Sequence, residues 1–208
     1  MSDLPDGLAV PRQKLWINAG AGHRRDNPRS RLFDDWREVR VDINRSVAPD
    51  IVADITDLSE IPDNVADALW SSHCLEHLFQ HQVAGALAEF RRVIADDGFI
   101  VCLVPDIQAV AGLIAADKSH EPLYQSPAGP VTPHDMFYGH GPSIAQGDTN
   151  MAHRCGFTPT VVVNLMNQVG FAEFLIRRLA SLELVVVARK TPGDEGSSCE
   201  SLIQALNL

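Results

Sequence analysis

Two glycines, Gly20 and Gly22, follow the apolar run of residues 14–19 and form a sharp turn, the kind that lets a main chain approach a ligand closely. About 20 residues further on, Asp42 closes a second apolar run, the separation at which an acid accepts hydrogen bonds from ribose hydroxyls in nucleotide-binding folds. Asp54, the trio Ser71-Ser72-His73, and Asp106 close three further runs. Polar groups gathered after five successive runs point to one ligand site along one edge of a sheet. A second concentration lies at His134, Asp135, Tyr138, His140, His153 and Arg154, where proton-transfer groups are dense. His134 and His153 are the candidate catalytic bases, since histidine titrates near neutral pH. His73, His77 and His81 share one helix face at a metal-like spacing, but no cysteine or carboxylate set converges with them, so no metal site is expected. Glu76 is expected to anchor the cleft wall.

The elements that must position these groups follow from periodicity. Strands are expected at residues 14–19, 38–43, 50–55, 66–71, 99–104, 172–179 and 182–190, from short apolar or β-branched runs bounded by turns. Asn27-Pro28 offers the start of a short helix running through Trp36. In residues 74–95 apolar side chains recur every three or four positions, an amphipathic helix with Ser72 as N-cap and Asp96-Asp97-Gly98 as its closing turn. Helices are also expected at 107–116 and 158–169, the latter stopping at Gly170. Strands alternating with helices imply an α/β, Rossmann-like fold: a mostly parallel seven-stranded sheet, helices on both faces, and a C-terminal antiparallel hairpin.

Residues 1–190 read as a single domain. Within it, residues 117–153 stand outside the alternation and are expected to form a proline- and glycine-rich loop that acts as a lid or acceptor-binding insertion. Residues 191–208 read as a linker and short tail.

Composition narrows the function classes. The chain has 208 residues, is 45% hydrophobic and carries a formal net charge of −10. That charge opposes binding along a nucleic-acid backbone, so no nucleic-acid partner is expected. The longest apolar stretches are far shorter than the ~20 residues of a membrane span, and the acidic, proline-containing start lacks the pattern of a secretory signal. A cytoplasmic protein without a membrane partner is the expectation. Cys74, Cys102, Cys155 and Cys199 form no close pair and read as free thiols.

The run Ile17-Asn18-Ala19-Gly20-Ala21-Gly22 resembles the glycine-rich first motif of class I S-adenosylmethionine-dependent methyltransferases, in their small-molecule, methyltransferase domain 11-like branch. Val41-Asp42-Ile43 looks like the acidic second motif, and Val52-Ala53-Asp54-Ile55 like the third. Ser71 to Leu78 is similar to the segment after strand four, and residues 89–98 to the helix and turn leading to strand five. The resemblance implies S-adenosylmethionine as cofactor, bound by Asn18, Ala19, Gly20, Ala21, Gly22, Asp42, Ile43, Asp54, Ile55, Ser71, Ser72 and His73. Asp54 and the Ile55 backbone would face the adenine, and residues 71–73 the methionine end. Residues 135–139 and 151–158 resemble the acceptor lid of the same branch. The implied reaction is methyl transfer to a small-molecule or sugar-like acceptor. Two alternatives stand beside it. A nucleotide-dependent oxidoreductase of the NAD type expects a third glycine where this chain has Arg25. A catalytically silent binding module would keep the fold alone.

Overall fold

The computed structural model describes residues 12–23, 31–126 and 129–208. In chain order the elements are β1 (Leu15–Ala19), β2 (Arg37–Asp42), β3 (Ile51–Val52), β4 (Ala66–Ser72), α1 (Gln80–Val93), β5 (Ile94–Pro105) and α2 (Ile107–Ala115). There follow β6 (Tyr124–Ser126), β7 (Gly129–Val131), α3 (Pro133–Tyr138), α4 (Gly141–Ala145), α5 (Pro159–Val169), β8 (Glu173–Arg178), β9 (Glu183–Arg189) and α6 (Cys199–Leu206). Seven strands form one sheet in the order β3-β2-β1-β4-β5-β9-β8. Only β9 runs against its neighbours; the other pairings are parallel. This is the α/β, Rossmann-like sheet with a closing antiparallel hairpin that the alternation of elements predicts.

Each face of the sheet is covered. On one, Val83, Leu87 and Phe90 of α1 and Val162, Leu165 and Met166 of α5 pack on Ile17, Leu69 and Ile100. Their spacing of three and four residues puts them on one helix stripe. The other face is aromatic, with Trp16 stacked on Phe33 at 4.7 Å between ring centres and Trp70 and Phe99 beside them.

Several expectations are corrected. The tail is not merely a linker, since α6 buries Cys199, Ile203 and Leu206 against the aromatic face. Ser72 ends β4 and caps no helix: His73 takes a left-handed conformation (φ 51°), a 3-10 turn covers Leu75–His77, and α1 begins only at Gln80. There the Gln82 side chain accepts a hydrogen bond from the Phe79 N–H at 3.0 Å. Asp96-Asp97-Gly98 is a bulge inside β5, where the pairing jumps from Ala66–Ile94 to Ala68–Phe99. A Cβ on Gly98 would stand 3.1 Å from the Ala66 carbonyl oxygen, a tight approach that favours glycine in the bulge. β3 is short because Asp54 Oδ1 accepts from both the N–H and the hydroxyl of Thr56, at 2.9 and 2.8 Å, and turns the chain out of the ladder. The expected helix start at Asn27-Pro28 lies outside the described residues.

The segment 117–153 is not an irregular loop. It holds a separate β6–β7 hairpin, α3, α4 and a 3-10 turn at Thr149–Met151. Two of its prolines start helices: Pro133 follows the N-cap Thr132, and Pro142 sits in the first turn of α4. A proline in a first helical turn loses no hydrogen bond.

Candidate active site

β1 and β4 are neighbours in the sheet but lead to opposite sides of it, so a crevice opens beyond their carboxyl ends. A cleft of about 790 Å³ occupies that position, within the ~300–1,000 Å³ range of small-ligand sites. Its sheet side is formed by Asn18, Gly20, Ala21, Gly22, Asp42, Ile43, Asp54, Ile55, Ser72 and His73. The other side comes from the 124–154 segment, including Tyr124, Met136, Asn150 and His153. Ala19 and Ser71, which pair across β1 and β4, are buried in the sheet one residue behind the lining.

The glycine turn is clipped to the end of β2. Gly20 N–H and Ala21 N–H both donate to Val41 O, at 2.9 and 3.1 Å, and Gly22 N–H donates to Asp42 Oδ2 at 2.8 Å. Asp42 Oδ1 accepts from Asn44 N–H at 2.8 Å, so the carboxylate is oriented by the main chain on both sides. Gly20 and Gly22 have φ of 73° and 57°, the left-handed region that favours glycine. A Cβ on Gly20 would also collide with the Cys74 side chain.

Sequence reasoning missed Arg40. Its guanidinium is buried and donates to Gly22 O at 2.5 Å, Ala48 O at 2.8 Å and Val47 O at 3.3 Å, joining the glycine turn to the loop after β2. An arginine inside a strand pattern carries no local signal of this role. Glu38 was missed for the same reason; it accepts from the Asn18 amide at 2.8 Å.

His73 lies between two buried carboxylates, with Nε2 at 2.5 Å from Glu183 Oε1 and Nδ1 at 3.4 Å from Glu76 Oε1. Burial disfavours its charge, but the bond to Glu183 and the Glu76 carboxylate outweigh burial and raise its pKa to about 10. The two carboxylates thus favour its protonated form. His153 differs: burial lowers its pKa, and its Nδ1 donates to Met136 O at 2.9 Å, leaving Nε2 as the acceptor nitrogen.

His134 is not among the residues that line the cleft. It sits two residues from inward-facing Met136, about 200° around α3, and its ring is exposed between His120 and Tyr138. Asp106 is an N-cap: Oδ1 accepts from Gln108 and Ala109 N–H, and Oδ2 lies 2.9 Å from Arg178 Nε. Among the described residues no helix is long and apolar enough to cross a membrane.

Comparisons with known proteins bear on this site. The family model described as methyltransferase domain matches residues 31–102. No curated protein matches by sequence. Among solved structures, the chain resembles the 1,6-didemethyltoxoflavin-N1-methyltransferase of Burkholderia thailandensis, determined with 1,6-didemethyltoxoflavin and S-adenosylhomocysteine. The TM-score is 0.55 at 18% identity, over 86% of this chain and 72% of that one. It also resembles a SAM-dependent methyltransferase of Archaeoglobus fulgidus, with a TM-score of 0.57 at 16% identity over 86% of this chain and 87% of that one. A third, from Methanosarcina mazei, gives 0.58 at 15% identity, over 86% and 93% of the two chains. The chain thus carries a methyltransferase-domain match over residues 31–102 and shares its fold with solved S-adenosylmethionine-dependent methyltransferases.

Proposed function

We propose that the protein transfers the methyl group of S-adenosylmethionine to a small-molecule or sugar-like acceptor held beneath the 124–154 segment. The observation that carries this is the continuity of the cleft, which runs from the Gly20–Gly22 turn past Asp42 and Asp54 to His153. The donors fit the cofactor. Asp42, oriented by two backbone N–H groups, has lone pairs left for ribose hydroxyls. Ile43 is 56% exposed at the cleft, an apolar surface for the adenine ring. Asp54 and the Ile55 main chain take the adenine edge. Asn18 and the glycine turn, with Ser72 and His73, hold the methionine end, and Ala19 and Ser71 back them from within the sheet.

The cofactor supplies an electrophilic methyl carbon; the protein aligns the acceptor for in-line displacement and excludes water. The acceptor proton goes to His153 Nε2, preferred over His134 because His153 lines the cleft. A small acceptor is supported by the toxoflavin precursor bound in the Burkholderia thailandensis neighbour, and by a net charge of −10 that disfavours nucleic acid. The four free cysteines suit a cytoplasmic, reducing setting.

Calorimetric titration with S-adenosylmethionine, S-adenosylhomocysteine and NAD tests the reading. Binding of the first two without NAD is expected. NAD binding would return the oxidoreductase alternative, and binding without turnover on a screened acceptor panel would favour the silent module.

A further inference from the structure

The four-residue spacing of His73, His77 and His81 groups histidines that the fold separates. His81 lies against Phe79, with ring centres 6.0 Å apart. In its place the fold brings His153, from the far end of the 117–153 segment, to Glu76 and His77. One ligand atom from each of these three residues lies within 4.8 Å of the other two.

Three features distinguish this cluster from a chance meeting. Glu76 is 1% exposed, and neither carboxylate oxygen has a hydrogen-bond partner; the His73 Nδ1 contact at 3.4 Å lacks hydrogen-bond geometry. A buried carboxylate with no hydrogen-bond partner, facing the His73 ring at 3.4 Å, keeps lone pairs free for a cation. Next, both histidines are held by Nδ1: His77 against Ala152 O at 3.2 Å and His153 against Met136 O at 2.9 Å. A carbonyl oxygen only accepts, so each Nδ1 carries the proton and each Nε2 keeps its lone pair, the arrangement found in metal-ligating histidines. Finally, the frame is tied together, because Arg154 and Cys155 N–H donate to Glu76 O at 2.8 and 3.2 Å.

We propose that Glu76, His77 and His153 form a binding site for one divalent first-row transition-metal ion of the zinc, cobalt or manganese kind. Two imidazoles and one carboxylate are the donor set of such ions, whereas magnesium and calcium take oxygen donors. Bonds of ~2.0–2.2 Å place ligands roughly 3–3.5 Å apart, so side-chain movements of about an ångström close the site. His77 and His153 line the cleft, which leaves the remaining coordination position to an oxygen ligand entering from it. With the ion bound, the His153 lone pair is committed. A coordinated hydroxyl would then release its proton to solvent water, because the ion lowers its pKa.

The site itself does not depend on methyl transfer. Chelator-treated full-length protein is titrated calorimetrically with Zn²⁺ and Co²⁺, with Mg²⁺ for comparison, while Co²⁺ binding is followed by its ligand-field absorption. The expected result is one Zn²⁺ or Co²⁺ per chain, at least 100-fold weaker Mg²⁺ binding, and at least a tenfold loss of affinity in His153→Ala and His77→Ala. His81→Ala should leave affinity unchanged. S-adenosylhomocysteine affinity, measured in parallel, reports on folding and on the methyltransferase reading separately; its loss alone leaves the metal site standing. Absence of one-to-one binding in the unaltered protein would overturn the site. So would an affinity that survives both substitutions, or a cobalt–thiolate charge-transfer band assigning the ion to Cys74 or Cys155.

Discussion

Asp42 Oδ2 accepts a 2.8 Å hydrogen bond from the Gly22 N–H, so the acid at the end of β2 holds the shape of the turn at the end of β1. The two motifs are one structure. Asp42→Ala is expected to weaken S-adenosylhomocysteine binding more than tenfold. A charge-assisted hydrogen bond contributes ~1.5–3 kcal/mol, and ~1.4 kcal/mol is already tenfold. Asp42→Asn, which keeps one acceptor oxygen, should fall between. Unchanged affinity in a folded Asp42→Ala protein would refute the ribose assignment.

Gly20→Ala should destabilise the protein before any ligand is considered. The new Cβ meets the Cys74 side chain, and φ of 73° is strained for a residue with a side chain. The left-handed conformation costs roughly 1–2 kcal/mol and overpacking about 1–3 kcal/mol. Combining it with Cys74→Gly should recover part of the loss in a denaturant double-mutant cycle, and strict additivity would show that the two sites do not touch.

Arg40→Lys keeps a positive charge but not the planar fork that serves three carbonyl oxygens. At ~1–3 kcal/mol for each buried group left without its partner, a loss of at least about 2 kcal/mol is expected by urea denaturation. S-adenosylhomocysteine affinity should fall with it, because the Gly22 side of the turn loses its anchor. A silent substitution would place the guanidinium outside the support of the turn.

Tyr124, Ser126 and Val131 of the β6–β7 hairpin line the cleft together with residues of α3 and α4. Amides across 124–154 should therefore exchange at least threefold more slowly once S-adenosylhomocysteine is bound, with further slowing when an acceptor is added. Identical exchange in all states would make this segment a static wall.

Glu173 holds α6 in place, accepting from Gly193 N–H and Cys199 N–H at 2.7 Å each. Burial raises its pKa, but the bonds to Gly193 and Cys199 prevail and leave it below the ordinary value of 4.5. A depressed carboxylate pKa stabilises the fold fully above the unfolded value, and that contribution disappears as pH falls through the folded value. The protection of amides in residues 199–206, corrected for the intrinsic pH dependence of exchange, should accordingly fall below pH ~4.5. Glu173→Gln should show the lower protection already at pH 7; protection equal to the unaltered protein at both pH values would remove Glu173 from the docking of α6.

The seven strands, the long helix and most residues of the cleft's sheet side were legible because their signals are local. An apolar run ending in Gly20-Ala21-Gly22, or in Asp42, needs only its neighbours to declare a strand and its ligand-facing end. Boundaries were less legible wherever side chains compete with backbone periodicity, as Asp54 does with Thr56, or where a bulge replaces a turn, as at Gly98. The 117–153 segment misled because prolines read as breakers also start helices once a cap such as Thr132 precedes them. Arg40 beneath the glycine turn, Cys74 against Gly20, α6 on the aromatic face, and His153 beside Glu76 were decided by tertiary structure alone. Each joins residues far apart in the chain, and the energies that fix them, packing volume and the pairing of buried polar groups, exist only after the sheet has assembled.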